Sequence, residues 1–317
     1  MKTPKIHWFI QDGNWRRSEE RNLHSLKLLL EESGCQIVVG KYIPFDGMEY
    51  TAFPAEPDGP VVIQGSIELL RNAVGNAPAR WFPAGDWFRY SDMHCCTYYP
   101  LIGKYLLQQQ YGVYPLGDMP RLKDFIFKTF STPGDTPSLG RLIFVRPDSN
   151  DKCFTGECVG EKSFQWWYDE IRKDVSSRCP VVVAPFQQLH REWRLVIANE
   201  KPVAASLYKV DDHHLTEEGC PVRVKHLAMK VAKLVHPAPV WVLDIAETTD
   251  GRLAVVELGA VNCAGWYDCE LLAVVDAINK AALDAWKELK KHEEVPTVSG
   301  EGAGSTLALL LHDGRPG

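Results

Sequence analysis

The segment VWVLDIAETTDGRLAVVELGAVNCAGW, Val240–Trp266, constrains the fold more than any other part of the chain. Asp250–Gly251 is a strong two-residue hairpin signal, and runs rich in Val, Leu and Ile flank it. Counting outward from a two-residue turn pairs Thr249 with Arg252, Ala246 with Val255 and Asp244 with Glu257. Directly opposed side chains in an antiparallel pair lie about 4.5–5.5 Å apart at Cβ, and like charges there repel. Two carboxylates among apolar neighbours are costly unless something neutralises them. A divalent cation would do so, and hard oxygen donors favour Mg²⁺ or Mn²⁺ over zinc. Asn262 offers a third, neutral oxygen. It lies an odd number of residues past Glu257, so a bend at Gly259 is needed to return it to the same face. The competing reading has each acid ending near solvent or pairing with basic side chains elsewhere.

Composition narrows the class. A chain of 317 residues with 45% hydrophobic and 24% charged content has room for two or three domains of ordinary globular type. A net charge of −6 argues against a dedicated nucleic-acid binder. The apolar runs are strand-length, which implies no membrane span, and the first one is too short for a signal peptide. The nine cysteines are odd in number and lack zinc-finger spacing, pointing to mostly reduced thiols in a cytoplasmic protein. Cys95 and Cys96, in "MHCC", admit a metal or thiol-catalysis reading, but adjacent thiols half buried in a packed segment is the plainer one.

Along the chain, "KIHWFI", "CQIVVGKYI" and "GPVVIQGS" read as strands. Between the first two, a helix should carry Ser18 as N-cap, Gly34 just past its end, and Leu23, Leu26 and Leu30 toward a sheet. "IELLRNA" reads as a short helix, completing an open α/β layer over residues 1–95. "LIGKYLLQQQ" reads as helical within an aromatic connecting segment. From Asp124 the pattern becomes antiparallel: "DFIFKTF", "GRLIFVRP", "PVVVAPF" and a hairpin turning at Asn199–Lys201. A helix over Arg223–Val235, the opening hairpin and a helix from Tyr267 to Lys291 follow. Boundaries fall at 96–187 and 188–292, leaving a Gly/Ser-rich tail, 293–317, expected to be flexible.

Isolated cations recur among the predicted strands: Lys128 in "FIFKTF", Arg146 in "LIFVRP" and Arg194 in "EWRLVI", with Lys152 in "SNDKCFTG". Taken singly, each reads as a strand-end surface charge. As an ordered set they suit phosphate oxygens.

This order of features resembles the ATP-grasp superfamily, in particular its RimK-related branch, over residues 1–290 and most clearly 124–266. The resemblance implies an α/β fold: a Rossmann-like N-terminal domain, then two α+β lobes whose antiparallel sheets sandwich ATP. It implies that Lys128 and Arg146 or Lys152 contact phosphates, and that the backbone of Ala184 and Phe186 holds the adenine. By the same resemblance Arg194 holds phosphate or acyl-phosphate, with Glu192 beside it. Asp244, Glu257 and Asn262 would bind Mg²⁺ and so bridge ATP. The closing signature is more commonly Glu-x-Asn, so the "LGAV" between Glu257 and Asn262 is a departure. The implied activity is an ATP-dependent carboxylate–amine ligase working through an acyl-phosphate. Its partners would be a carboxylate and an amine, amino acids and peptides among them. Loops at "QDGNWRR" and Gln64–Ser66 would line the acceptor crevice. A small-molecule kinase on the same fold, a non-catalytic nucleotide-binding module and a thiol enzyme using Cys95 or Cys96 are the alternatives.

Overall fold

The computed structural model describes residues 4–11, 20–40, 42–43, 47–48, 58–76, 81–82, 90–134, 138–149 and 153–294. Strand β1 (His7–Gln11) is buried along its whole length, as a parallel strand covered on both faces should be. Helix α1 (Glu20–Glu32) follows and ends where the sequence predicts. Gly34 takes φ +74°, while the amides of Gly34 and Cys35 bond back to the Glu31 and Leu30 carbonyls, both at 3.0 Å. That double closure needs a left-handed residue, which glycine adopts without strain. The expected N-cap Ser18 lies outside the described residues.

The strand expected over "CQIVVGKYI" is divided into β2 (Gln36–Gly40) and β3 (Tyr42–Ile43), the latter paired with β4 (Gly47–Met48). Strand β5 (Val61–Gln64), helix α2 (Ile67–Asn76) and strand β6 (Trp81–Phe82) complete a parallel sheet of order β2-β1-β5-β6. Next, α3 spans Cys95–Ile102 and a 3₁₀ turn Gly103–Tyr105, so the helix lies upstream of the "LIGKYLLQQQ" expectation. The reason is tertiary: the buried Leu107 gives its amide to the Val255 carbonyl at 2.8 Å instead of to a helix.

The second sheet contains β7 (Gly112–Pro115), β8 (Thr132–Pro133), β9 (Arg141–Pro147), β10 (Glu157–Gly160) and β11 (Pro180–Pro185). Its order is β10-β9-β11-β7, with β8 on β9 and every pairing antiparallel. Helices α4 (Met119–Phe130) and α5 (Phe164–Ile171) belong to this unit. Helix α4 corrects the strand expected at "DFIFKTF". Within that window Phe125, Phe127 and Thr129 alternate, but the longer run buries Met119, Ile126, Phe127 and Phe130 at helical spacing. Phe125 is left 52% exposed, which a half-buried strand would not do.

The third sheet has β12 (Leu189–Ala198), β13 (Lys201–Val210), β14 (His213–Glu218), β15 (Val240–Thr248) and β16 (Leu253–Ala260), ordered β14-β13-β12-β15-β16. Asn199 and Glu200 both have positive φ (50° and 61°), as a two-residue primed turn requires. Helix α6 (Val222–Ala232) buries Val224, Leu227, Ala228 and Val231, as its spacing predicts. Helix α7 (Leu271–Glu294) starts later than expected, because a turn closed by Cys269 N–H to Trp266 O precedes it. Residues 295–317, most of the predicted tail, lie outside the described residues. No described helix is long and apolar enough to cross a membrane.

The faces of this sheet differ in cover. Trp193, Leu195, Ile197, Leu243 and Ile245 join the core that includes α6 and α3 residues. On the opposite face Val196, Ala198, Val240 and Val242 pack with Val274, Val275 and Ile278 of α7 and with Trp8 and Ile10 of β1.

The hairpin keeps its key pairing by an unexpected route. Thr248 N–H bonds to Arg252 O at 2.9 Å, so the loop holds three residues, Thr249–Gly251, with Gly251 at φ +83°. Ile245 therefore faces Val255 and Ala246 faces Ala254, one residue off the simple count. A bulge between Asp244 and Ile245 then skips Val256 and restores Asp244 opposite Glu257.

Candidate active site

Arg194, Asp244 and Glu257 lie abreast on β12, β15 and β16, so all three side chains leave the same face of the sheet. Glu192 precedes Arg194 by two residues and shares that face. Arg194 grips Asp244 with two parallel hydrogen bonds, Nε to Oδ1 at 2.9 Å and Nη2 to Oδ2 at 2.7 Å. Its Nη1 donates to Gly265 O at 3.0 Å. The guanidinium also lies against the rings of Tyr267 and Tyr208, 5.1 and 5.6 Å from their centroids. Burial alone would lower the pKa of Arg194, but Asp244 outweighs it and holds the guanidinium well above its ordinary value. Tyr208 is pushed up by burial and by the Asp244 and Glu192 charges, and its hydroxyl donates to Glu192 at 2.8 Å.

The second sheet contributes the opposing wall. Arg146, near the end of β9, reaches across to β16: Nη2 to Glu257 Oε2 at 2.9 Å and Nη1 to Val256 O at 3.2 Å. The bulge matters here, since Val256 has no cross-strand partner on β15 and its carbonyl accepts from Arg146 instead. Between the walls is a cavity of about 690 Å³, ample for a nucleotide. Phe144, Phe154, Phe186 and Leu189 supply apolar lining, and Arg146, Glu192, Lys209, Asp244 and Glu257 supply charge.

Several expected residues thus converge. Arg146, Phe186, Glu192, Asp244 and Glu257 line one cavity, and Arg194 is bonded to one of them. Others do not. Lys128 is exposed in the last turn of α4, not on a strand, and is not among the cavity-lining residues. Ala184 is fully buried in β11, with Phe186 at the cavity two residues on. Lys152 lies outside the described residues, as does most of "QDGNWRR"; of that stretch, Gln11 is described, its Oε1 accepting Ser66 N–H at 2.6 Å. Strand β16 runs straight through Gly259, so the predicted bend is absent, and the chain turns instead at Val261–Cys263. Asn262 is buried there, donating to Ile63 O at 2.6 Å and accepting Gly65 N–H at 3.0 Å. Those bonds tie the hairpin to the parallel sheet. Cys95 is buried, its thiol pKa raised first by burial, the reverse of an activated nucleophile.

Lys209, Gln108 and Gln187 also line the cavity and were missed by sequence reasoning. Lys209 pairs with Glu192 at 3.1 Å; burial would lower its pKa, but Glu192 and Asp212 raise it. A simple count from the Asn199–Glu200 turn puts Leu207 opposite Glu192. Two register shifts along β12–β13 bring Lys209 there instead.

The donor set suits a hard divalent cation. Asp244 and Glu257 present carboxylate oxygens at one cavity, and each oxygen has two lone pairs, so accepting a guanidinium N–H does not preclude a metal.

The family model for the ATP-grasp domain, R2K clade family 3, matches residues 119–278, about half of the chain. No curated protein matches in sequence. Among solved structures, the chain is similar to D-cycloserine synthetase DcsG (TM-score 0.59, 13% identity, covering 87% of this chain and 99% of that one). It is also similar to D-alanyl-alanine synthetase A from Vibrio cholerae (TM-score 0.58, 12% identity, 89% and 100% covered). A third is the ATP-grasp ligase PsnB complexed with a phosphomimetic variant of its minimal precursor, Mg and ADP (TM-score 0.53, 14% identity, 88% and 99% covered). At such identities the likeness is one of fold.

Proposed function

The chain belongs to the ATP-grasp superfamily, in family 3 of the R2K clade, and on that premise we propose that it is an ADP-forming carboxylate–amine ligase. The observation that carries the reading is the convergence of Arg146 and Arg194 with Asp244 and Glu257 where two sheets face one cavity. ATP would lie between those sheets, its base against Phe144 and Phe186 and its phosphates toward Arg146. Mg²⁺ held by Asp244 and Glu257 would neutralise phosphate charge and align the reacting oxygens. A carboxylate oxygen of the substrate attacks the γ-phosphorus, the bond to ADP breaks, and an acyl-phosphate forms. An amine then attacks the acyl carbon, phosphate leaves, and the surplus amine proton passes to solvent. The chain's part is positioning and charge stabilisation: Arg194, fixed by Asp244 and two tyrosine rings, is preorganised for negative charge that grows during transfer. No protein nucleophile is needed. The carboxylate and amine would be those of amino acids or peptides.

The test is a screen of carboxylate–amine pairs with ATP and Mg²⁺, scoring ADP and amide product, with hydroxylamine as a trap. Hydroxamate formation that requires ATP supports the ligase. A phosphorylated product that survives added amine makes the protein a kinase. ATP binding with no ADP release across the screen makes it a nucleotide-binding module.

A further inference from the structure

Beside the cavity, whose wall includes Pro147 and Ser149, one cluster of potential metal ligands takes no part in the proposed chemistry. A ring nitrogen of His94, Cys96 Sγ and an Asp148 carboxylate oxygen all lie within 4.8 Å of one another. They come from two segments: the start of α3, and the residue after β9. Asp148 is 4% exposed, so its charge is withdrawn from water. One carboxylate oxygen is accounted for, since Oδ1 accepts the Cys96 N–H at 2.7 Å and caps the helix. The other, Oδ2, faces His94 Nδ1 at 3.8 Å.

We infer that His94, Cys96 and Asp148 form a Zn²⁺ site, distinct from the carboxylates of the nucleotide cavity. Donors about 2.0–2.3 Å from a tetrahedral ion stand roughly 3.4–3.7 Å apart, so the His94–Asp148 edge is nearly formed already. Closing the Cys96 edges, each no longer than 4.8 Å, needs a shift of at most about 1.4 Å. A thiolate, a carboxylate and a neutral imidazole balance the doubly charged ion. Cys96 releases its proton to solvent on binding, and no electron moves. The Oδ1 bond to the Cys96 amide then orients a ligating carboxylate from outside the coordination sphere. Imidazole and thiolate select a late first-row metal over Mg²⁺. Three protein ligands leave a fourth position for water, and Cys96 is exposed, giving the ion a way in. The site would clamp α3 to the end of β9, two residues beyond Arg146.

The test is titration of the full, reduced, chelator-treated chain with Co²⁺, with neither ATP nor Mg²⁺ present. One equivalent should produce four-coordinate visible absorption and a thiolate-to-cobalt charge-transfer band, both abolished by Zn²⁺ and untouched by Mg²⁺. Asp148→Asn keeps an oxygen for the Cys96 N–H and leaves a neutral oxygen donor in place, so the decisive variants are Cys96→Ser and His94→Ala, with circular dichroism as the folding control. Cys96→Ser should lose the charge-transfer band, and His94→Ala should weaken binding at least about tenfold. Cys153→Ser, at the thiol pair with Cys179, should change neither. No stoichiometric uptake, or a band that persists in Cys96→Ser, overturns the site.

Discussion

Two halves of one sheet face make an instructive contrast. On β12 and β15, Val196, Ala198, Val240 and Val242 lie beneath α7, while Glu192, Arg194 and Asp244 continue the same strands beyond its cover. The backbone scarcely differs between the halves. What differs is whether a helix or a cavity lies above, and the side chains follow. In the covered half, removal from water is the stabilising term. In the open half, Glu192, Arg194 and Asp244, with Glu257 beside them on β16, persist because each has a partner of opposite sign at close range.

Making the halves alike is the sharpest way to break the contrast. Asp244→Asn should have the largest effect, since it strands a buried guanidinium. It should cost about 3–5 kcal/mol in urea unfolding and abolish ATP turnover. Replacing both partners, Arg194→Met with Asp244→Leu, should recover most of that stability while turnover stays lost, because a well-packed apolar pair can match a buried ion pair. If the double variant were as unstable as the single one, the pair would be essential to folding and not only to the site. Val242→Ala, in the covered half, should cost about 1–3 kcal/mol yet leave turnover per folded molecule unchanged.

Glu257→Gln isolates the chemistry. Its side chain is 20% exposed, against 3% for Asp244, and the amide oxygen can still accept from Arg146, so the loss of stability should be smaller than for Asp244→Asn. Turnover should fall by at least about a hundredfold, and an active Glu257→Gln enzyme would remove the proposed role of this acid. Lys128→Ala, on the exposed face of α4, should change stability by less than about 0.5 kcal/mol and leave turnover intact.

The smallest effect belongs to the exposed counterpart of the buried pair. Arg141 binds Glu161 through Nε and Nη2, at 2.9 and 2.6 Å, and holds its pKa below the usual glutamate value. A carboxyl with a depressed folded pKa contributes stability above its unfolded pKa and loses it as pH falls through the folded value. Urea midpoints for Glu161→Gln should therefore fall slightly less than those of the parent chain between neutral pH and the acid range. Solvent screening keeps the difference minor.

How much of this was readable in advance depended on the length of the pattern. Asp244 and Glu257 were found because the hairpin is long, apolar and has a marked turn. Helix α4 was misread because its last seven residues alternate like a strand, and only the burial of Met119 earlier in the run reveals the helical period. Lys209 was hidden by two irregularities in β12–β13 that no residue type announces. Asn262 was recognised as unusual but not for its bonds to Ile63 and Gly65, which join segments about two hundred positions apart. Spacing within a segment reports neighbours along the chain. It carries nothing about partners that arrive from another sheet.

The bulge at Val256 sets a limit on how the cavity can be dissected by substitution. Arg146 is held there by a main-chain oxygen as well as by Glu257. Every amino acid at position 256 presents that oxygen, so alanine scanning reports only the Val256 side chain at the cavity wall and is blind to the main-chain contact. Excising the residue is different: Asp244 and Glu257 would remain opposed without the bulge, while the main-chain anchor of Arg146 would disappear along with the Val256 side chain. A one-residue deletion is thus the cleaner probe, in a hairpin where deletions are ordinarily the cruder one.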